Sequence, residues 1–280
     1  MLFDVFGSVL MSSLHQLVNL PSSRAGEVGL PRLMASGLTF SEPGHSRLTG
    51  VSLAVSAGEQ VGLVGGMEAG RSTFLNILTG QLRPTFGIFK INETIVRGDG
   101  PPPGLVGTAV PEETMEPGLS GREWLARVAW RAGLDEPAAG RWLSRLLWRT
   151  GLSAFSLTRL GCYPPGARKL LSLAAASAGS PPVIVLDEPA SGLTGPHLAI
   201  LRRLINTWCA EGSAVLVGAE RRDVAALGCH RLYIMESGTV VASGTQHQLY
   251  GTDVLPPQHL MPVRVPASGA GGALDVRGMH

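Results

Sequence analysis

The sequence predicts an α/β fold with a mostly parallel central sheet and flanking helices. Two short apolar runs carry this prediction: residues 183–186 lead into Asp187 and Glu188, and residues 61–64 lead into a glycine-rich segment. Runs that are apolar at every position are typical of strands buried on both faces. Open α/β sheets bind ligands beyond the carboxyl ends of such strands, so the two polar segments are candidate halves of one site.

The glycine-rich segment has most of the pattern of a phosphate-binding loop. Gly65, Gly70 and Ser72 match G-x-x-x-x-G-K-[ST], a loop that connects a strand to a helix. We expect the helix to begin at Phe74, with the backbone N–H groups up to Thr73 facing phosphates at the positive end of the helix dipole. The alternative is a simple glycine turn without a ligand.

One position of this loop departs from the pattern, because Arg71 stands where lysine is expected. The guanidinium carries the same charge as lysine in a wider planar fork, so it is not equivalent as a phosphate ligand. We still expect Gly70, Arg71 and Ser72 to contact phosphates. We expect Ser72 and Asp187 to hold Mg²⁺ and Glu188 to orient the attacking water.

Together with further blocks along the chain, these motifs resemble the ATP-binding subunit of an ABC transporter from about residue 33 to residue 251. The resemblance implies a P-loop NTPase fold of the ABC ATPase type, with an antiparallel β portion and a helical subdomain beside the parallel sheet. It also implies ATP and Mg²⁺ as the bound species. The blocks that carry it are residues 48–53, 57–65, 187–193, 237–238 and 241–245.

The same resemblance divides the chain. Residues 1–32 are predicted to be an N-terminal extension and linker, residues 33–251 the ATP-binding domain, and residues 252–280 a loose tail. The helical subdomain is expected at about residues 113–178. The apolar positions near the N-terminus fit either an extension packed on the domain or a helix lying at a membrane interface.

Two carboxylates stand at positions where the family has polar or cationic groups near the nucleotide. The Q-loop glutamine of the family aligns with Glu112, and its switch histidine aligns with Glu220. Carboxylates close to a triphosphate repel it in a partly desolvated cleft. An ionised glutamate also cannot donate a hydrogen bond to the γ-phosphate, whereas histidine can. We therefore expect weaker nucleotide binding, slower hydrolysis, or both.

The segment that aligns with the family's signature motif is also altered. Residues 163–167 read Tyr-Pro-Pro-Gly-Ala in place of L-S-G-G-Q, and Thr194 replaces the D-loop aspartate. In the family this segment contacts the γ-phosphate bound to the opposite subunit of a dimer. Pro164 and Pro165 lack the backbone N–H that such a contact uses, so two copies of this chain would form two poor sites. A second, different subunit would supply one intact signature.

Aromatic residues in two regions allow two interpretations each. Phe40 lies near the position where the family stacks a ring on adenine, and it fits equally a core residue at a strand end. Residues 120–177 are predicted to be helical, with tryptophans that belong to the core rather than to a ligand cage. The apolar positions at helical spacing are Trp124, Leu125, Val128, Trp142, Leu143, Leu146 and Leu147.

Composition limits the partners. The formal net charge of the 280 residues is +2, so no nucleic-acid partner is expected. The three cysteines are far apart and show no zinc-site spacing. No apolar run reaches the ~20 residues of a membrane span, so transport requires a separate membrane permease subunit.

Two functions are compatible with these features. The first is an ATP-binding subunit, weakly favoured to be of the exporter type, that slowly hydrolyses ATP to drive a separate permease. It would work with a second ATP-binding subunit, identical or different, in the cytoplasm on the inner face of the cell membrane. The second is a pseudo-ATPase with a structural or regulatory role beside a competent paralogue. A nucleoside kinase is less well supported, because nothing after the loop resembles its acceptor site.

Overall fold

The computed structural model describes residues 31–250, apart from residues 46, 67 and 99. The predicted N-terminal extension and the predicted C-terminal tail therefore fall almost wholly outside the described residues. The strands are β1 (Pro31–Phe40), β2 (Leu48–Ser56), β3 (Gln60–Gly65), β4 (Phe86–Ile91), β5 (Thr94–Val96), β6 (Val106–Thr108), β7 (Val183–Asp187), β8 (Ala214–Ala219), β9 (Arg231–Glu236) and β10 (Thr239–Thr245).

Six of these strands form the predicted parallel sheet, in the order β10-β9-β3-β8-β7-β6. Strand β3 pairs parallel with β8 and β9, and β7 pairs parallel with β8 and β6, while β10 is antiparallel to β9. The central strands are buried along nearly their whole length because both faces are covered. The prediction that β3 and β7 belong to one mostly parallel sheet is confirmed, and β8 lies between them.

The antiparallel portion is a second, four-stranded sheet in the order β2-β1-β4-β5. Helix α1 (Arg71–Leu78) contributes its apolar side to a core that both sheets share. This helix begins at Arg71 and not at the predicted Phe74, because Gly70 is left-handed (φ 88°) and its carbonyl already accepts the N–H of Phe74 at 2.9 Å. The loop therefore passes into the helix without an intervening turn.

The region predicted to be helical contains helices α2 (Gly121–Arg131), α3 (Glu136–Thr150) and α4 (Pro165–Ala174), which we call the helical lobe. Trp124 and Trp142 are buried, as the core interpretation predicted, whereas Trp130 and Trp148 are exposed. Beyond β7 the chain continues through α5 (Gly195–Ala210), α6 (Arg221–Leu227) and α7 (Gln246–Tyr250). The lobe and α5 share one apolar core with the adjacent side of the parallel sheet.

Candidate functional site

The loop between β3 and α1 is held in a tight conformation by glycine and by backbone hydrogen bonds. The N–H of Ala69 donates to the carbonyl of Gly66 at 3.1 Å, and the carbonyl of Ala69 accepts the N–H of Gly238 at 3.1 Å. A side chain at Gly70 would come within 2.6 Å of Leu48 and would also strain the left-handed backbone. Ser72, on the first turn of α1, is exposed and its hydroxyl is accessible.

Strand β7 ends on the two predicted carboxylates, which differ in environment. Asp187 is exposed, whereas Glu188 is half-buried and adopts a left-handed backbone conformation (φ 45°). Such a conformation is uncommon for a residue other than glycine. It is held in place by the N–H of Glu188, which donates to the carbonyl of Gly218 at 2.7 Å. The turn after β7 is therefore anchored to the neighbouring strand β8.

Arg71 joins the loop to these carboxylates. Its Nη2 donates a hydrogen bond to Oε1 of Glu188, and its Nη1 donates to the carbonyl of Gly65 at 2.9 Å. Its Nε lies 3.8 Å from Oδ1 of Asp187 and is buried without a hydrogen-bond partner. The two motifs predicted from separate parts of the sequence thus meet at one guanidinium, and Ser72 follows directly after it.

Gly218 is a site residue that the sequence analysis missed. It lies at the end of β8, between the strands that lead to the loop and to the carboxylates. A Cβ atom there would lie 3.0 Å from Oδ1 of Asp187 and 3.4 Å from Cδ of Arg71. The signal was available, since Gly218 is the next-to-last residue of an otherwise apolar strand of the same sheet, where a missing side chain permits a close approach.

The charge around Glu188 is predominantly negative. Burial raises the pKa of the Glu188 carboxyl, the positive charge of Arg71 lowers it, and the charges of Asp187, Asp223 and Glu220 raise it. Asp223, on α6, was not among the predicted site residues. The predicted residue Glu220 is exposed at the start of α6, where Arg222 approaches its carboxylate to 3.6 Å. Both carboxylates act on Glu188 through their charge.

Glu112 makes a different contact from the one expected of a nucleotide-facing residue. Its Oε2 accepts a hydrogen bond from Nε of Arg168 at 3.1 Å, and Arg168 belongs to α4 of the helical lobe. In this arrangement Glu112 connects the segment after β6 to the lobe. Arg168 was also missed by the sequence analysis, although it immediately follows the segment aligned with the signature.

That segment forms the start of α4 and offers few hydrogen-bond donors. The N–H groups of Ala167 and Arg168 both donate to the carbonyl of Pro164 at 3.0 Å, while Pro164 and Pro165 have no N–H. The remaining glycine, Gly166, packs so closely against the ring of His197 that a Cβ atom would lie 2.7 Å from its Nδ1. His197 Nδ1 in turn lies 3.0 Å from the hydroxyl of Thr194.

The structure supports the core interpretation of Phe40. Its side chain is only 1% exposed and lies in the core shared by the two sheets. The ring of His45 meets it edge-on, with the ring centroids 5.7 Å apart. The ring is enclosed in this structure, and His45 is the exposed aromatic residue beside it.

The residues at the junction fit a bound nucleotide with a magnesium ion. Within the described part of the chain no group of three or more His, Cys, Asp or Glu residues could hold a metal by itself. Ser72 and Asp187 each carry a side-chain oxygen that could be a ligand, a number that suits Mg²⁺ because that ion usually takes its other ligands from phosphates and water. The buried, unpartnered Nε of Arg71 is a further donor available to an anionic group.

Comparison with known proteins agrees with these motifs. Residues 48–191 match the ABC transporter family. A hemin import ATP-binding protein of Nocardia farcinica is 31% identical over 279 residues, which cover 94% of both chains. A Nod factor export ATP-binding protein of Burkholderia lata is 28% identical over 74% of this chain and 68% of its own.

Solved structures share the fold. The structure of an ATP-binding subunit of an ABC transporter superposes with a TM-score of 0.68 at 24% identity, covering 78% of this chain and 91% of its own. A dimeric ATP-binding cassette in a post-hydrolysis state, bound to ADP and Pi, gives a TM-score of 0.64 at 20% identity over 76% and 98% of the two chains. In the described part of this chain no helix is long and apolar enough to cross a bilayer. The chain belongs to the ABC transporter family and has the fold of its ATP-binding subunits.

Proposed function

We propose that this protein is an ATP-binding subunit that binds MgATP at the junction of the loop and β7 and hydrolyses it slowly to drive a separate membrane permease. The observation that supports this most strongly is the set of contacts of Arg71 with Gly65, Asp187 and Glu188. A glycine turn without a ligand would have no need to place a buried cation between the phosphate loop and two carboxylates. The pairing gives one point at which phosphate, metal and water could meet.

Each residue of the junction has a role in this proposal. The backbone N–H groups that follow Gly65 and Gly70, together with Arg71 and Thr73, bind phosphate oxygens. Ser72 and Asp187 would hold Mg²⁺, which would supply positive charge to neutralise the charge that develops on the phosphates. Glu188 accepts a hydrogen bond from the attacking water and orients it for displacement in line with the leaving group. These steps need a carboxylate at 188 that is ionised and free of Arg71.

Hydrolysis is proposed to be slow for two reasons. The carboxylates Glu220 and Asp223 add negative charge next to Glu188, where the family's histidine would donate a hydrogen bond to the γ-phosphate. The α4 segment also presents two prolines where a partner's nucleotide requires donors. The first feature weakens a site within this chain, and the second weakens the site of a partner.

The proposed assembly contains a second ATP-binding subunit, and a different subunit is favoured over a second copy. A partner with an intact signature would complete the site built around Arg71 and Glu188 of this chain. The complex would be cytoplasmic and attached to the inner face of the cell membrane through the permease. Relatives are named for export of Nod factor and for import of hemin, so no direction of transport is proposed.

The proposed function can be tested by comparing MgATP binding and turnover in three proteins purified identically. These are the unmodified chain, Glu188→Gln, and the control Glu136→Gln, which changes an exposed glutamate on α3. We expect all three to bind MgATP. We expect Glu188→Gln to lower turnover by about a hundredfold or more, the effect of losing a group that assists proton transfer, and Glu136→Gln to leave it unchanged.

Two results would contradict the proposal in different ways. Turnover that survives Glu188→Gln would show that Glu188 does not orient the water. Absence of MgATP binding at millimolar nucleotide, in the unmodified protein and in the control, would instead favour a pseudo-ATPase that keeps the fold for a structural or regulatory role.

A further inference from the structure

Arg71 is the most completely engaged cation at the junction. Its side chain is about nine-tenths buried, and each of its three nitrogens faces a group of the protein itself. Nη1 faces the carbonyl of Gly65, Nη2 faces the carboxylate of Glu188, and Nε faces the carboxylate of Asp187. The guanidinium is therefore enclosed by groups of the protein, and of its three nitrogens only Nε makes no hydrogen bond.

This engagement conflicts with the roles of the same residues in hydrolysis. The Glu188 oxygen that accepts a hydrogen bond from Arg71 is a poorer acceptor for an attacking water, because it shares its lone pairs with the guanidinium. A positive charge 3.8 Å from Asp187 also opposes the approach of Mg²⁺ to that carboxylate. The guanidinium is a rigid planar fork, so it leaves these partners together when the side chain moves.

We propose that Arg71 is a latch, defined by its contacts with Gly65, Asp187 and Glu188, which closes the magnesium and water sites until the phosphates of ATP draw the guanidinium away. The proposal rests on the proposed function, because it concerns the same nucleotide site. It assigns to Arg71 two positions, one on the carboxylates and one on the phosphates. A lysine at this position, with a single point of charge, could not hold the carbonyl and the carboxylate in the same bidentate way.

The latch has a measurable cost for nucleotide binding. If the site is open only part of the time, the apparent dissociation constant rises by the inverse of the open fraction. Weakening the contact between Arg71 and Glu188 should therefore tighten ATP binding. The gain must depend on Arg71, and this dependence separates a latch from simple repulsion between Glu188 and the phosphates.

The test is a double-mutant cycle on the full-length protein with the unmodified chain, E188Q, R71M and R71M/E188Q. ATP binding is measured by equilibrium titration in the presence of EDTA, so that neither magnesium binding nor hydrolysis contributes. We expect E188Q to tighten ATP binding about tenfold when Arg71 is present, a difference of about 1.4 kcal/mol. In the R71M background the same change should alter the affinity less than about twofold.

A second measurement uses no nucleotide. Thermal unfolding of the same four proteins should show coupling, in that E188Q changes Tm by different amounts with and without Arg71. E188Q and E136Q each replace one glutamate with glutamine, so E136Q serves as the matched control in both measurements. It should change neither ATP affinity nor the effect of R71M.

The outcomes separate the latch from the proposed function. An equal gain from E188Q in both backgrounds, or no gain when Arg71 is present, would overturn the latch and leave nucleotide binding intact. Additive effects on Tm would show that the two side chains do not interact, and this would also overturn it. If no variant binds ATP while the Tm coupling persists, the proposed function fails. The contact between Arg71 and Glu188 is then an ion pair without a role in nucleotide binding.

Discussion

Gly218 shows how a single missing side chain shapes the junction. It lies on β8, between the strand that leads to the loop before Arg71 and the strand that ends at Asp187, and a Cβ atom there would lie within 3.4 Å of both side chains. A close approach of a cation and two carboxylates therefore depends on the residue between them as well as on their own identities. The same principle operates at Gly107 on the edge strand β6.

Gly218→Ala should disturb the site more than the fold. The added methyl group would lie 2.5 Å from Leu75 Cδ1, a flexible side-chain end, and would displace Asp187 and Arg71 from their present contacts. We expect the free energy of unfolding to fall by about 1–3 kcal/mol, the range for overpacking. We also expect the magnesium-dependent binding of nucleotide to weaken. Chemical denaturation and nucleotide titration measure the two effects. Unchanged nucleotide binding would show that the spacing at Gly218 does not matter for the site.

Gly107→Ala should be strongly destabilising, because the added methyl group would overlap the backbone carbonyl of Ala176 and crowd Pro181 at 2.7 Å. Since a backbone atom cannot move aside like a side-chain end, we expect a loss of about 3 kcal/mol or more. The matched control is Gly140→Ala, an exposed position of α3 with open space around it. There alanine should stabilise by about 0.5–1 kcal/mol. Urea unfolding of both variants gives the comparison, and similar stabilities would contradict it.

At the scale of single elements, the lobe depends on how its helices begin. Helix α2 starts with a capping box: the Ser120 hydroxyl accepts the N–H of Glu123 at 3.3 Å, and the Glu123 carboxylate accepts the N–H of Ser120 at 2.8 Å. Helix α3 uses Asp135, whose side chain accepts the N–H of Ala138 at 2.8 Å. Helix α4, by contrast, begins at prolines and has no side-chain cap.

Ser120→Ala should destabilise the protein by about 1 kcal/mol, the usual effect of losing a serine cap. The backbone N–H of Ser120 and, to a smaller extent, its hydroxyl lower the pKa of Glu123, so the variant, which loses only the hydroxyl, should bring that pKa part of the way back towards its ordinary value. A carboxyl group whose pKa is lowered by folding stabilises the folded state at pH values above its unfolded-state pKa. This stabilisation is lost as the pH falls through the folded-state pKa. The difference in Tm between variant and parent should therefore shrink in acid, as a pH series of thermal melts would show. Ser144→Ala, at an exposed position in the middle of α3, is the control and should have little effect.

At the scale of the whole molecule, the sequence predicts architecture better than contacts. The apolar runs of β3 and β7 predicted the parallel sheet, because full burial of a strand leaves a local pattern. The pairing of Glu112 with Arg168, 56 residues away, leaves no such pattern. Whether the Arg71 side chain contacts phosphates or carboxylates also depends on distances that only the folded chain defines. For the same reason, the sequence could not decide whether Phe40 lies in the core or faces an adenine, because a residue at a strand end can occupy either position.

The prolines in the signature-aligned segment, residues 163–167, predict that ATPase activity differs between a homodimer and a complex with a different ATP-binding subunit. Pro164→Ser combined with Pro165→Gly supplies a hydroxyl and two N–H groups at the start of α4. In a homodimer this should raise ATPase activity appreciably, because both sites lack these donors. Beside a competent partner subunit it should change activity little, since one site already works. Turnover by the unmodified homodimer as fast as that of ordinary family members would contradict the asymmetric assembly.

The distribution of tryptophan gives the protein a selective fluorescent reporter. All five tryptophans lie between residues 124 and 208, on α2, α3 and α5, and not on the phosphate loop or its strand. Trp130 and Trp148 are exposed, whereas the other three are buried, so a soluble quencher should reach the two groups at different rates. Filling of the nucleotide site alone should leave the emission almost unchanged. A change in emission during a nucleotide titration would then report movement of the helical lobe and α5, and it would separate occupancy of the site from the motion that a permease would sense.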